Sequence, residues 1–134
     1  MCFKKGEKVS DLLNLTNQFA NKVDELIKSE LKAESLSLIK KSHGNMMGSP
    51  ECCKENSYIY FLYNDNKGII YIGETGKSIK RRLFTDGSGA HCNKDWFVNV
   101  KKIEYYKNNE MKSNTRKIIE RALIKKYNPK YNRE

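Results

Sequence analysis

Six consecutive residues, Tyr58-Ile59-Tyr60-Phe61-Leu62-Tyr63, are all aromatic, Ile or Leu. No other run constrains the fold as strongly. It is too short for a comfortable helix and suits a strand buried on both faces, so the rest of the fold must cover it from two sides. Asn64-Asp65-Asn66-Lys67-Gly68 follows with turn chemistry, and Ile69 to Gly73 reads as the returning strand of a hairpin. A loop over Asn64 to Lys67 would set Tyr63 opposite Gly68 and Tyr60 opposite Tyr71. Two phenols would then stand side by side on one face, and a one-residue slip would separate them. Gly73 through Lys77 turns the chain into a short helix carrying Lys80, Arg81 and Arg82. Ile79 and Leu83, one turn apart, define its buried face; Arg82 borders that face and Arg81 points largely away.

Beyond this stretch, Phe84 to Asp95 contains Gly87, Ser88 and Gly89 and reads as a loop. Part of Trp96 to Lys107, rich in aromatic and β-branched residues, should form a third strand. A helix is predicted from Ser113 or Asn114, either a reasonable N-cap, to Tyr127 before Pro129. At 100° per residue, Ile119, Leu123, Tyr127, Glu120 and Ile124 share one arc of this helix in that order. Glu120 therefore sits inside an apolar face, where a bare carboxylate costs several kcal/mol, by order of magnitude. It needs a cation. Arg116, one turn earlier, and a bound metal ion are the two candidates.

Tyr58-Ile59-Tyr60, Tyr71-Ile72-Gly73, a following Arg and a later Glu together resemble the GIY-YIG nuclease family. The stretch IIERALIKKYNPKYN resembles the family's closing helix and its Pro-x-Tyr-Asn ending. The likeness covers residues 58–132, with one departure: Tyr58 stands where the family's first Gly belongs. That difference touches backbone geometry more than chemistry. The resemblance implies a metal-dependent endonuclease acting on DNA, with Glu120 as metal ligand, Arg82 on a phosphate oxygen, Tyr60 accepting the proton of the attacking water and Tyr71 positioning that water or a phosphate oxygen. A phenol is a poor base near neutrality unless cations lower its pKa, a part that would fall to Arg82 and the metal. One carboxylate with several waters suits Mg²⁺ or Mn²⁺ better than zinc. The family often carries a His a few residues after its Arg, where this chain has Asp86; His91 either takes that role as second base or phosphate donor or is a surface loop histidine. Asn132 matches the family's terminal Asn, which resembles a residue that braces the site, and is placed on the nucleic-acid side. Lys77, Lys80 and Arg81 are candidates for phosphate-backbone contacts, which carry no sequence information.

Charge agrees with a polyanionic partner. The net charge is +10, and it is uneven: residues 1–57 hold nine Lys against eight acids, while residues 58–134 hold seventeen Lys and Arg against eight acids. Val9 to Lys41 lacks Gly and Pro and carries apolar residues at helical spacing from Val9 to Leu31, with KAESLSLIKKS as a second helix. This stripe either packs against the catalytic domain or joins a second copy in a homodimer. His43 to Asn56 reads as a linker, in which His43, Cys52 and Cys53 match no standard zinc spacing. With neither a signal peptide nor a membrane span, and without a disulfide framework, a cytoplasmic protein is expected. The expected architecture is α+β: an N-terminal helical segment (1–41), a linker (42–57) and a nuclease domain (58–134) whose three-stranded, mainly antiparallel sheet is flanked by helices. The alternative is a non-catalytic nucleic-acid-binding module that keeps the nuclease fold.

Overall fold

The computed structural model describes residues 9–42 and 47–133. His43 lies outside the described residues. Helix α1 (Val9–Lys28) leads into a short strand β1 (Lys32–Glu34) and a short helix α2 (Leu36–Lys41). Strands β2 (Tyr58–Tyr63) and β3 (Ile69–Thr75) form the expected hairpin, followed by a π-helical turn (Arg81–Thr85), strand β4 (Lys102–Lys107) and helix α3 (Ser113–Tyr127). The strands make one antiparallel sheet in the order β1-β4-β2-β3.

The α+β class holds, with four strands rather than three. The extra strand is Lys32-Ala33-Glu34, which pairs with Tyr105 to Ile103 on β4. It begins the stretch expected to be a second helix, and only Leu36–Lys41 is helical there. Ser35 divides the two, its hydroxyl accepting from the Leu38 N–H at 3.3 Å as the N-cap. The third expected strand begins late, because Asp95–Asn99 forms a 3-10 turn that carries Trp96 away from the sheet.

Strand β2 is buried on both sides, as its composition demands. Ile59 and Phe61 pack with Ile72, Leu123, Met111 and Ile27 beneath α1 and α3. Tyr58, Tyr60 and Leu62 face Ile79, Leu83, Trp96, Ile103 and Tyr105. Cys52 and Cys53, in the stretch read as a linker, also lie in this second core. Burial pushes the Cys52 thiol up to about 12 and keeps it neutral. The Tyr58 side chain that replaces a glycine reaches the same turn, its hydroxyl 2.8 Å from both the Glu51 and the Lys54 carbonyl oxygens.

Helix α1 lies on α3 through its C-terminal half, with Ala20 and Ile27 buried. Asp24 anchors the contact. It accepts from the Tyr127 hydroxyl at 2.5 Å and the Lys126 ammonium at 2.9 Å. Burial would raise its carboxyl pKa, but these bonds and Lys28 hold it below the usual range. Leu12, Leu13, Leu15, Phe19 and Leu26 remain exposed. Among the described residues, no helix is long and apolar enough to cross a membrane.

The hairpin register corrects the sequence-based one. Tyr60 pairs with Gly73 rather than Tyr71, and Leu62 pairs with Tyr71. Two one-residue effects add. Gly68 belongs to the loop, so Tyr63 meets Ile69, and an irregularity between Leu62 and Tyr63 shifts the register once more. Asn64 shapes the loop by accepting from the Asn66 and Gly68 N–H groups, and Lys67 takes the left-handed conformation at φ 60°. A shift of two preserves parity, so Tyr60 and Tyr71 still share a face as diagonal neighbours.

Candidate active site

The site grows out of that parity. The Tyr60 ring lies across Gly73, where a Cβ would overlap its Cζ and hydroxyl oxygen. Glycine opposite Tyr60 therefore provides the space its ring occupies. Tyr71 stacks beside Tyr60 with ring centroids 6.3 Å apart and planes at 29°. Ile79, just before the π-helical turn, and Leu83 on it are fully buried as expected, and the Arg82 guanidinium lies close enough to both phenols to act on their pKa values. The Arg82 side chain is 34% exposed against 52% for Arg81. The two arginines therefore divide as the helix-face argument requires.

His91 completes the cluster. Its Nε2 lies 2.8 Å from the Tyr60 hydroxyl, and its ring meets Tyr71 edge-on at 4.6 Å. It is 4% exposed, so it is not a surface loop histidine. Burial, then Arg82 and Lys94, pull its pKa down to about 4, leaving the imidazole neutral near pH 7.

Tyr60 behaves differently from the sequence-based expectation. Arg82 does act to lower its pKa, but complete burial outweighs that cation, and the net shift is upward. Burial raises Tyr71 as well, with Glu120 adding to the effect. Neither phenol is a ready phenolate near neutrality. The Tyr60 hydroxyl instead lies in the field of the Arg82 guanidinium and within hydrogen-bond distance of an imidazole that can accept from it.

Glu120 reaches this cluster from α3, close enough to act electrostatically on both tyrosines. Its first candidate partner is engaged elsewhere. Arg116 pairs with Glu74 at 2.8 Å, and also donates to the Ser57 hydroxyl at 2.9 Å and the Met111 carbonyl. The Arg116–Glu120 salt bridge is thus absent, because the guanidinium is taken up by Glu74, Ser57 and Met111. No ion pair among the described residues involves Glu120. Burial and the Glu74 carboxylate raise its pKa to about 7, opposed by the Glu74 backbone N–H and by Arg121 and Arg82. A partly buried carboxylate, beside a second one and without a salt-bridging side chain, is a group that a divalent cation would neutralise. Glu120 is a carboxylate that could hold such an ion with water as the remaining ligands, since no group of three or more His, Cys, Asp or Glu stands together among the described residues.

The family model of the GIY-YIG catalytic domain matches residues 56–132. The chain belongs to the GIY-YIG family. That match supports an endonuclease family for the chain. No curated protein and no solved structure gives a significant match.

Within this GIY-YIG domain, the remaining predicted residues are placed unequally. Lys77 and Arg81 are exposed, Arg81 lying 3.4 Å from Asp86. Lys80 turns back to donate to the Ser42 carbonyl, so its ammonium serves the N-terminal segment rather than an open surface. Asn132 is committed to the backbone: its Oδ1 accepts from Ile72 N–H and its Nδ2 donates to the Ile72 carbonyl, each at 2.8 Å. Both amide atoms thus hold the β3 backbone, and one Nδ2 hydrogen remains uncommitted by these bonds.

Four features went unrecognised in the sequence. Asp86 accepts from Arg82 Nη1 at 2.9 Å, and Arg82 and Arg81 together hold its carboxyl below the usual range. Glu74 draws Arg116 away from Glu120. Trp96 and Tyr131 stack in sequence on Tyr71. The hint for Trp96 was its place as the lone tryptophan in a segment otherwise read as strand. A cleft of about 300 Å³ opens over the cluster, lined by Tyr71, Arg82, His91, Lys94, Trp96 and Tyr131.

Proposed function

We propose that this protein is a metal-dependent endonuclease that hydrolyses DNA phosphodiester bonds. The observation that carries the reading is Glu120, a partly buried carboxylate without a salt-bridging partner, beside Tyr60, Tyr71, Arg82 and His91. Glu120 would hold Mg²⁺ or Mn²⁺, which when bound supplies Lewis-acid stabilisation of the phosphoryl and leaving oxygens. Arg82 holds a non-bridging phosphate oxygen through its planar donor fork, and Asp86 keeps that fork oriented. Tyr71 positions the attacking water.

The raised pKa of Tyr60 makes it a conduit for a proton rather than a free base. As the water attacks, the Tyr60 oxygen takes its proton while the Tyr60 hydroxyl proton moves to His91 Nε2, 2.8 Å away. His91 is neutral and can receive it. A bound phosphate, being anionic, opposes the depression caused by Arg82 and Lys94 and makes the imidazole a better acceptor. Exposed Lys77, Arg81 and Lys94 are suited to backbone phosphates. The exposed leucines of α1 are the surface that a second copy would cover.

Supercoiled plasmid incubated with the protein, with and without Mg²⁺ and a chelator, tests the activity directly. Nicking or linearisation that requires the metal is expected; intact plasmid with retained binding would favour a non-catalytic module. Glu120→Gln tests the site. It should abolish Mg²⁺-dependent cleavage and leave DNA binding intact or stronger. Because the folded pKa of Glu120 is raised from 4.5 to about 7, its stability contribution is complete below pH 4.5 and lost as pH rises through 7. The metal-free Gln variant should therefore melt higher than wild type at pH 8 and similarly at pH 4. Added Mg²⁺ should raise the melting temperature of wild type only. An active Glu120→Gln enzyme would refute the mechanism.

A further inference from the structure

We propose that a second hollow, beside Tyr131, takes an unpaired nucleotide next to the cleaved phosphate, with its base on the Tyr131 ring and its own phosphate between Lys101 and Lys130. This rests on the nuclease reading above and adds the kind of strand the site selects. The hollow encloses about 450 Å³ between the β2–β3 loop, the segment after Trp96 and Tyr131. That size falls within the range of about 300–1,000 Å³ usual for ligand sites. Tyr131 walls both this hollow and the catalytic cleft. The two spaces are therefore adjoining compartments with one aromatic partition.

The partition is held rigidly. Tyr131 packs flat on Trp96 at 5.0 Å with planes 8° apart, and Trp96 packs on Tyr71 at 5.3 Å and 20°. The Tyr131 hydroxyl also accepts from Asn99 Nδ2 at 3.0 Å. A run of three stacked rings thus leads from Tyr71, at the reacting centre, to the second hollow. A ring fixed from two directions loses little freedom when a base settles on it. Lys101 and Lys130 line the hollow against one carboxylate, Asp65, so its wall is net positive, and the Lys130 ammonium lies 5.5 Å from the Tyr131 centroid. An aromatic platform beside lysines is how sequence-independent single-strand contacts are made. A paired base has its faces covered by its neighbours in the stack, so the platform favours a nucleotide that has left the duplex.

Equilibrium binding in EDTA tests this on two labelled DNAs, a fully paired duplex and the same duplex carrying a single-stranded flap. Tyr131→Leu should weaken flap binding about 5- to 150-fold, the scale of one base–aromatic stack, and change duplex binding less than twofold. Tyr131→Phe, which keeps the ring, should bind the flap as wild type does, showing that the loss is not misfolding. Lys101→Ala/Lys130→Ala should reduce the slope of log affinity against log salt for the flap by about 0.7, the value for one phosphate contact on a single strand. Equal losses on both DNAs, or an unchanged slope, would overturn the proposal while plasmid cleavage by wild type kept the nuclease reading. Absence of that cleavage would instead remove the nuclease reading, and the proposal with it.

Discussion

Tyr58 and Tyr60 stand two residues apart on the same face of the same strand, and both are fully buried. Their hydroxyls have opposite surroundings. Tyr58 donates to main-chain carbonyls of the Glu51–Cys53 turn and its neighbour Lys54, groups that cannot titrate. Tyr60 faces an imidazole and a guanidinium and lies in the field of Glu120. Burial raises the pKa of both phenols, so neither burial nor a shifted pKa distinguishes Tyr58 from the proposed proton carrier Tyr60. The partners separate them. A proton on Tyr60 has somewhere to go, and a proton on Tyr58 does not.

Tyr60→Phe should cost about a hundred- to ten-thousandfold in cleavage rate, the range for a proton-transfer group, with a melting temperature near wild type. Retained activity in that variant would collapse the comparison. Arg82→Ala should lose roughly a hundred- to a thousandfold, the usual scale for one transition-state donor, and Arg81→Ala much less and mainly in binding. Equal losses at the two arginines would contradict their different exposure. Tyr58→Phe should do the reverse of Tyr60→Phe: the Lys54 carbonyl loses its hydroxyl donor, which costs about 1–3 kcal/mol in urea unfolding and leaves the rate unchanged.

The smallest effect sharpens the role of the Tyr60 partner. His91 has its pKa lowered from 6.5 to about 4, so the folded state holds it neutral. Its contribution to stability is complete above pH 6.5 and lost as pH falls from 6.5 towards 4, because the unfolded chain takes up the proton first. Wild type should lose melting temperature across that window more steeply than His91→Phe. Parallel curves would mean that His91 is not held neutral by its surroundings.

Much of the fold was legible in the chain because it depended on short-range pattern. The apolar run of β2, the turn after it and the faces of the two later helices all follow from periodicities of two and 3.6. Parity explains why the tyrosine pair survived a register that was wrong by two: pairing with Gly73 in place of Tyr71 leaves both rings on one face. What the pattern could not supply was competition at a distance. Arg116 lies four positions before Glu120, yet its partner is Glu74, distant in sequence and supplied by the sheet. Strand β1 was missed for a related reason, since three residues carry no periodicity and Lys32-Ala33-Glu34 is a strand only because β4 offers an edge. The pKa of Tyr60 depended on how completely the fold buries it, which no count of nearby cations reveals.

Asn132 has a consequence beyond bracing the site. Strand β3 lies at the border of the sheet, and a border strand offers its free N–H and C=O groups to any passing extended segment. Asn132 occupies both of those groups on Ile72, presenting an amide where the next strand's peptide would sit. One side chain therefore plugs the ladder at its middle residue, between Tyr71 and Gly73. Removing it would do more than loosen the cleft: it would uncover a template for intermolecular pairing, and the protein would acquire a tendency to self-associate along β3.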